Sequence, residues 1–223
     1  MKKQFAVFLG LASFLVVAFA ASSTLNAQST GLVSAILDRM EVNRANLVGD
    51  LPAPPAIGTV IDDFTLPDAD GASHSLASLK GKNGTVLIFI ATKCPVSNGY
   101  NDRMQKLSED YKAKGFNVIG VNANNTEPAA EVKSHAAEKG LKFTILKDDG
   151  NKIADRLGAT KTPEAYVIDT NGKLAYHGRI DNSLKTEAIT SNDLREALDE
   201  MLAGKPVSKT GGAAFGCTIK RVS

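Results

Sequence analysis

Cys94 is followed by Pro95, and it stands where the unbroken apolar run Thr85-Val86-Leu87-Ile88-Phe89-Ile90-Ala91 gives way to Tyr100, Met104, Leu107 and Tyr111 at helical spacing. A cysteine at the junction of a buried strand and a helix faces unpaired backbone N–H groups and the positive end of the helix dipole. Both favour thiolate over thiol, and Lys93 adds a cation if its side chain turns toward the sulfur. The chemistry this spacing supports is nucleophilic attack by sulfur. The competing reading of a lone cysteine is a small buried hydrophobe. Pro95 suits the first helical position, where its missing N–H is harmless.

One other cysteine, Cys217, lies in the glycine-containing tail. Two cysteines are too few for a disulfide-rich scaffold, a thiolate zinc site or an iron–sulfur cluster, so neither cofactor nor metal is expected. Cys217 can resolve an oxidised Cys94 from a mobile tail, form a permanent staple with it, or lie buried and inert. His74, His135 and His177 are scattered without metal-ligand spacing and read as surface residues. Arg103 reads as a solvated helix-face residue, and Asp148-Asp149-Gly150 as a turn.

The elements that must position Cys94 follow from periodicity. A strand without polar alternation is covered on both faces, as in a sheet flanked by helices. The amphipathic helix after it stops at Gly115, and Phe116-Asn117-Val118-Ile119-Gly120-Val121 restores a buried strand. A further helix is expected from about Pro128 to Lys139, then a strand at Phe143-Thr144-Ile145-Leu146. Upstream, Ile61 to Leu66 reads as a short strand running into the turn Asp68-Ala69-Asp70-Gly71. Downstream, Ala165 to Asp169 and Leu174 to Gly178 flank Thr170-Asn171-Gly172-Lys173, where Asn-Gly suits a two-residue type I′ turn. Continuing that ladder outward from Thr170 opposite Lys173 sets Pro163 opposite Ile180, with Arg179 and Asp181 beside the rung. The last helix runs from about Asn192 to Leu202, with Ser191 as its cap.

At the N-terminus, Lys2 and Lys3 precede the apolar run Phe5 to Ala20, followed by small residues. Residues 1–27 therefore read as a secretory signal peptide, cleaved after Ala20 or Ala27. An apolar run of about 16 residues is short of the roughly 20 that span a bilayer. The expected product is exported and soluble, periplasmic or extracellular, where two thiols can pair. Residues 28–53 are expected to hold a helix carrying Leu32, Val33, Ile36, Leu37 and Met40, then a proline-rich linker. Residues 54–206 form the main α/β domain and 207–223 the tail. With 223 residues and 43% hydrophobic content the chain is not wholly disordered, and 26 Lys+Arg against 24 Asp+Glu leave no charge footprint for nucleic acid.

Three segments, in this order, carry a resemblance. Phe89 to Ser97 resembles the active-site segment of extracytoplasmic thioredoxin-like proteins, with Ser97 where a dithiol enzyme carries its second cysteine. Thr162-Pro163 before a strand is similar to the cis-proline loop of that superfamily. Gly216-Cys217-Thr218-Ile219-Lys220, with Gly178-Arg179-Ile180-Asp181, resembles the peroxiredoxin-like branch of the redoxin group (alkyl hydroperoxide reductase and thiol-specific antioxidant). Spanning about Pro54 to Lys220, the resemblance implies a thioredoxin-like α/β fold: a central mixed β-sheet flanked by helices, here with an extra N-terminal helix. It implies a catalytic set of Cys94, Cys217, Thr162, Pro163 and Arg179, with the Thr162-Pro163 loop receiving extended substrate. The implied substrates are a peroxide or a protein disulfide or thiol, and the implied partner is a thiol reductant or electron-donor protein. Departures are plain: Ser97 removes the Cys-x-x-Cys dithiol, and Ala91 and Leu87 replace the hydroxyl and proline that peroxiredoxins place before the reactive cysteine, leaving Thr92 as a substitute hydroxyl. A non-catalytic module binding extended polypeptide in the same groove is the second functional class.

Overall fold

Every residue of strand β3 (Gly84–Ile90) is buried, and its alternation divides the core in two. Val86, Ile88 and Ile90 enter one cluster, with residues of the helices α2 (Asn101–Lys112), α3 (Ala129–Glu138) and α5 (Asp193–Leu202). Leu87 and Phe89 enter the other, with the short helix α4 (Lys152–Arg156), Phe64, Leu66 and Ile219. The computed structural model describes residues 52–222, so the signal peptide, its two cleavage positions and the helix near residues 32–40 lie outside the described residues.

β3 lies inside a six-stranded mixed sheet. It runs parallel to β4 (Phe116–Asn122) and antiparallel to β7 (Glu164–Ile168). Beyond β4 lies β5 (Ile145–Lys147), and beyond β7 lie β8 (Leu174–Gly178) and β9 (Gly211–Gly212). A small hairpin, β1 (Thr65–Pro67) with β2 (Ser73–Ser75), stands apart, as does the pair β6 (Lys161–Thr162) with β10 (Cys217–Thr218). This is the thioredoxin-like mixed sheet flanked by helices that the resemblance implies. Among the described residues, no helix is long and apolar enough to cross a membrane.

Several local expectations are corrected. The helix after Cys94 comes in two pieces, α1 (Pro95–Asn98) and α2, because the Tyr100 N–H reaches back only three residues to the Ser97 carbonyl. The expected turn at Asp148-Asp149-Gly150 forms, and helix α4, which was not expected, follows it: the Asp148 carboxylate accepts from the N–H groups of Ile153 and Ala154 and caps it. At α5 the cap is Asn192, while the Ser191 hydroxyl donates to the Asp193 carboxylate at 2.6 Å. The tail, whose course the sequence left open, is woven into the fold, β9 lying parallel on β8 and β10 antiparallel on β6.

The β7–β8 connection also differs from the expected two-residue turn. Asp169 and Lys173 close the strands, and the loop is Thr170-Asn171-Gly172, with Gly172 alone left-handed at φ 77°. A type I′ turn would need Asn171 left-handed as well, whereas Gly172 at the end of a three-residue loop is the other common hairpin solution. The extra loop residue is compensated by a bulge, the pairing shifting between Val167 and Ile168, so Ala165 still faces Gly178. Gly172→Ala is therefore expected to lower unfolding free energy by about 1–2 kcal/mol, and Asn171→Ala by less than about 0.5 kcal/mol. Urea denaturation of both variants distinguishes this loop from a type I′ turn, in which both substitutions would be costly.

Candidate redox site

Cys94 sits just past β3 with extended backbone (φ −91°, ψ 115°) and forms the N-cap of α1, Pro95 taking the first helical position. Its sulfur accepts a hydrogen bond from the Ser97 N–H at 3.3 Å. The sequence reading of this junction holds, including proline placement. Cys94 is 3% exposed, and its sulfur is bonded to that of Cys217 with a Cα–Cα separation of 5.8 Å, within the ordinary disulfide range. Cys217 is thus bonded to Cys94 rather than buried apart from it.

What delivers Cys217 is main-chain pairing. Cys217 faces Thr162 and Thr218 faces Lys161, and the Ile219 N–H donates to the Thr160 carbonyl at 3.0 Å. The Thr162-Pro163 peptide is cis, and the Thr162 carbonyl oxygen lies 3.4 Å from the Cys94 sulfur. Gly216 makes the closest approach, at φ 146°. A Cβ there would lie 2.1 Å from the Thr162 carbonyl oxygen, so no residue but glycine fits. Cys94, Cys217, Thr162 and Pro163 therefore come together in one place.

Beneath them is a polar network that the sequence reading did not single out. The Glu127 carboxylate, 2% exposed, accepts from the N–H groups of Thr92 and Lys93, both at 2.9 Å, and from the side-chain amides of Asn122 (2.6 Å) and Asn124 (3.4 Å). Asn124 in turn accepts from the Lys220 N–H at 2.8 Å. One network thus touches both the Cys94 loop and the strand that carries Cys217. Its only trace in the sequence is the polar run Asn122-Ala123-Asn124-Asn125 closing a buried strand. On the other side, the buried Ser97 hydroxyl accepts from the Ala91 N–H at 3.1 Å and ties the end of β3 to α1. Glu164 shapes the β6 segment, accepting from the N–H groups of Thr160 and Lys161 at 2.8 Å. Burial pushes the Glu164 carboxyl up, but His177 and these N–H groups outweigh it and hold it below its ordinary range.

Other candidates point elsewhere. The Lys93 ammonium turns outward to the Thr126 carbonyl (2.8 Å) and Glu131 (2.9 Å), and the Thr92 hydroxyl donates to Glu131 at 2.7 Å. Glu131 on α3 draws both off, so neither serves the sulfur. Arg179 pairs through Nε with Asp193, which also binds Lys209, and it has no polar contact with Cys94 among the described residues. The rung that would have set Arg179 beside the Pro163 loop does not form: Pro163 has no N–H to give, and the Arg179 N–H goes to Gly212. Arg103 is not solvated as expected. It binds Asp181 at 2.6 Å and the Ser183 carbonyl at 2.8 Å, and lies 3.7 Å over the Tyr100 ring. The histidines are half-buried at the surface, each with a side-chain partner. His177 meets Glu164 at 2.6 Å and stacks on Tyr166, His135 meets Asn98 at 2.8 Å, and His74 meets Asp68 at 2.8 Å. No cluster of metal-ligating side chains occurs among the described residues.

The sequence model described as the AhpC/TSA family matches residues 57–177. The thiol-disulfide oxidoreductase ResA of Geobacillus thermodenitrificans is 29% identical over 146 residues, 66% of this chain and 78% of that protein. The chloroplastic peroxiredoxin Q of Triticum aestivum is 31% identical over 140 residues, 60% of this chain and 63% of that protein. Among solved structures, a hypothetical protein from Sinorhizobium meliloti 1021 is 31% identical with a TM-score of 0.71, covering 77% of this chain and 97% of that one.

The Arg179–Asp193 pair makes an acid-stability prediction. Burial opposes ionisation of Asp193, but hydrogen bonds from Arg179, Lys209 and Ser191 outweigh it and bring its carboxyl down to about 2 from an ordinary 3.8. Its contribution is therefore present above the ordinary value and lost as pH falls through about 2. Asp193→Asn is expected to be less stable than the parent at pH 7 and to lose less stability than the parent between pH 4 and pH 2. Guanidinium denaturation across that range measures it. Parallel acid profiles for the two proteins would remove this ion pair from the account.

Proposed function

The chain belongs to the AhpC/TSA family, and on that premise we propose that it is an exported thiol-dependent oxidoreductase in which Cys94 attacks an oxidised substrate and Cys217 resolves the adduct. The observation that carries this reading is the bonding of Cys217 to a sulfur that also receives the Ser97 N–H at the start of a helix. After reduction, that donor stabilises negative charge on the Cys94 sulfur, the form that attacks and the form that leaves. Export rests on Lys2, Lys3 and the apolar run after them, and suits a chain that keeps its two cysteines bonded.

Two substrate classes use the same pair of thiols. With a hydroperoxide, the thiolate takes the terminal oxygen, the O–O bond breaks and an alcohol or water leaves. The Cys217 thiol then attacks the sulfenic sulfur, forming the disulfide and releasing water. With a protein disulfide, Cys94 forms a mixed disulfide, releasing one substrate thiol, and Cys217 displaces the other. In either case the two electrons come back from a thiol reductant or electron-donor protein, which regenerates the dithiol. Ala91 and Leu87 stand where peroxiredoxins carry a hydroxyl and a proline, and the Thr92 hydroxyl is engaged by Glu131. Peroxide activation by a neighbouring hydroxyl is therefore not part of this reading. Against a module that only binds polypeptide stands the pairing of residues 217 and 218 with the edge beside Thr162, which joins that edge to the two cysteines.

Cys94→Ser is expected to abolish turnover, and Cys217→Ser to halt after the first step with Cys94 as a sulfenic acid or a mixed disulfide. Mass spectrometry with a sulfenic-acid trap reads both. Turnover by Cys94→Ser at the parent rate would end the assignment.

A further inference from the structure

We infer that residues 216–222 are a built-in stand-in for an extended polypeptide, reserving the edge beside Thr162 and thereby restricting Cys94 to small oxidised substrates, of which a hydroperoxide is the class. This rests on the redox reading of Cys94 above and narrows it.

The strand that carries Cys217 displays how an extended chain offers a half-cystine to Cys94. The Cys94 sulfur is closed off by burial, by the Ser97 N–H on one side and by the Thr162 carbonyl on another. A polypeptide bringing a sulfur to it must run along residues 160–162, the unpaired edge such a chain would extend by adding a strand. In this chain the edge is already taken: Cys217 pairs with Thr162, Thr218 with Lys161, and the Ile219 N–H with the Thr160 carbonyl.

Opening the disulfide does not free that edge, because the tail is held without it. Ile219 is 3% exposed within the second core cluster. The Lys220 N–H donates to Asn124 at 2.8 Å, and the Lys220 carbonyl accepts from the Asn125 N–H at 2.9 Å. Arg221 pairs with Asp155 at 2.7 Å and donates to the Ala159 carbonyl at 2.6 Å, and the Val222 N–H donates to Asn151 at 2.9 Å. Upstream, Phe215 packs edge-on against Tyr100. A polypeptide disulfide must break these contacts to reach the sulfur. A hydroperoxide needs only the space left when the Cys217 sulfur swings aside. The thiolate then becomes a sulfenate as the O–O bond breaks and the alcohol or water leaves; once protonated, it meets a Cys217 thiol still poised beside it.

The test uses the reduced full-length protein and two probes: hydrogen peroxide, and an extended peptide whose central cysteine is activated as a mixed disulfide with thionitrobenzoate. Stopped-flow rates are compared between the parent and the double variant Asn124→Ala/Arg221→Ala, which loosens the tail and keeps both cysteines. The ratio of peptide rate to peroxide rate is expected to rise at least about tenfold in the variant, as the loss of several tail hydrogen bonds implies. In the reduced parent, the amides of Ile219, Lys220 and Val222 are expected to exchange at least about tenfold more slowly than an unstructured chain, a reading that needs no variant. An unchanged rate ratio, or free exchange of those amides, overturns the inference while leaving Cys94 as the redox nucleophile. Should Cys94 react with neither probe faster than Cys94→Ser, the redox reading itself falls, and this inference with it.

Discussion

Antiparallel pairing of Cys217 with Thr162 fixes where the second sulfur can stand. The two cysteines are 123 residues apart in sequence, and closing a loop of that size removes roughly 5 kcal/mol of chain entropy from the unfolded state in the chain-entropy model. Entropy alone, however, sets no direction of approach. That comes from the β6 edge, from Gly216, which lets the two backbones come within a distance no side chain would allow, and from Ile219, which commits the strand to the core on the far side of the sheet from α2. The sulfurs meet because the backbones that carry them have been registered first.

Registration on the Cys94 side depends on Glu127. A carboxylate hidden from water is tolerated only where donors replace its hydration, and the donors here are the two N–H groups immediately before Cys94 and two asparagine amides. Removing the carboxylate would leave those donors unpaired in the interior, at about 1–3 kcal/mol each, so the loop geometry is held stiffly. Among the described residues, no buried side-chain nitrogen or oxygen lacks a partner. Since Asn124 bonds both Glu127 and the Lys220 N–H, a shift of the tail is felt beneath Cys94 without passing through the disulfide.

Legibility followed range. Cys94 at the strand end, Pro95 in the first turn and the buried β3 and β4 depend on neighbours within a few residues, and periodicity exposes them. The Ala165 to Gly178 rung emerged as expected, though through a three-residue loop and a compensating bulge rather than a type I′ turn. What the sequence could not convey was which of several acids each cation would choose. Arg179 takes Asp193, Arg103 takes Asp181 and Lys93 takes Glu131, pairings 14, 78 and 38 residues apart that rest on tertiary placement alone. The course of the tail was hidden for the same reason: a glycine-containing segment has no periodicity, and its strand exists only because β6 offers it an edge.

Ser97 shows what moving the second thiol into that tail accomplishes. In a Cys-x-x-Cys dithiol, both sulfurs ride on one helical turn, and their proximity survives whatever the rest of the chain does. Here the same position donates its N–H to the Cys94 sulfur and uses its hydroxyl to hold the Ala91 N–H, so it holds the Cys94 loop in place of carrying a second sulfur. Proximity of the pair then becomes a tertiary property. If the segment from Gly216 to Val222 is in place, the Cys94 sulfur has a partner at bonding range; if it lifts away, the sulfur has none. On the proposed redox reading, closure of the cycle is coupled to the hydrogen bonds that Asn124, Asn151 and Asp155 make to the tail.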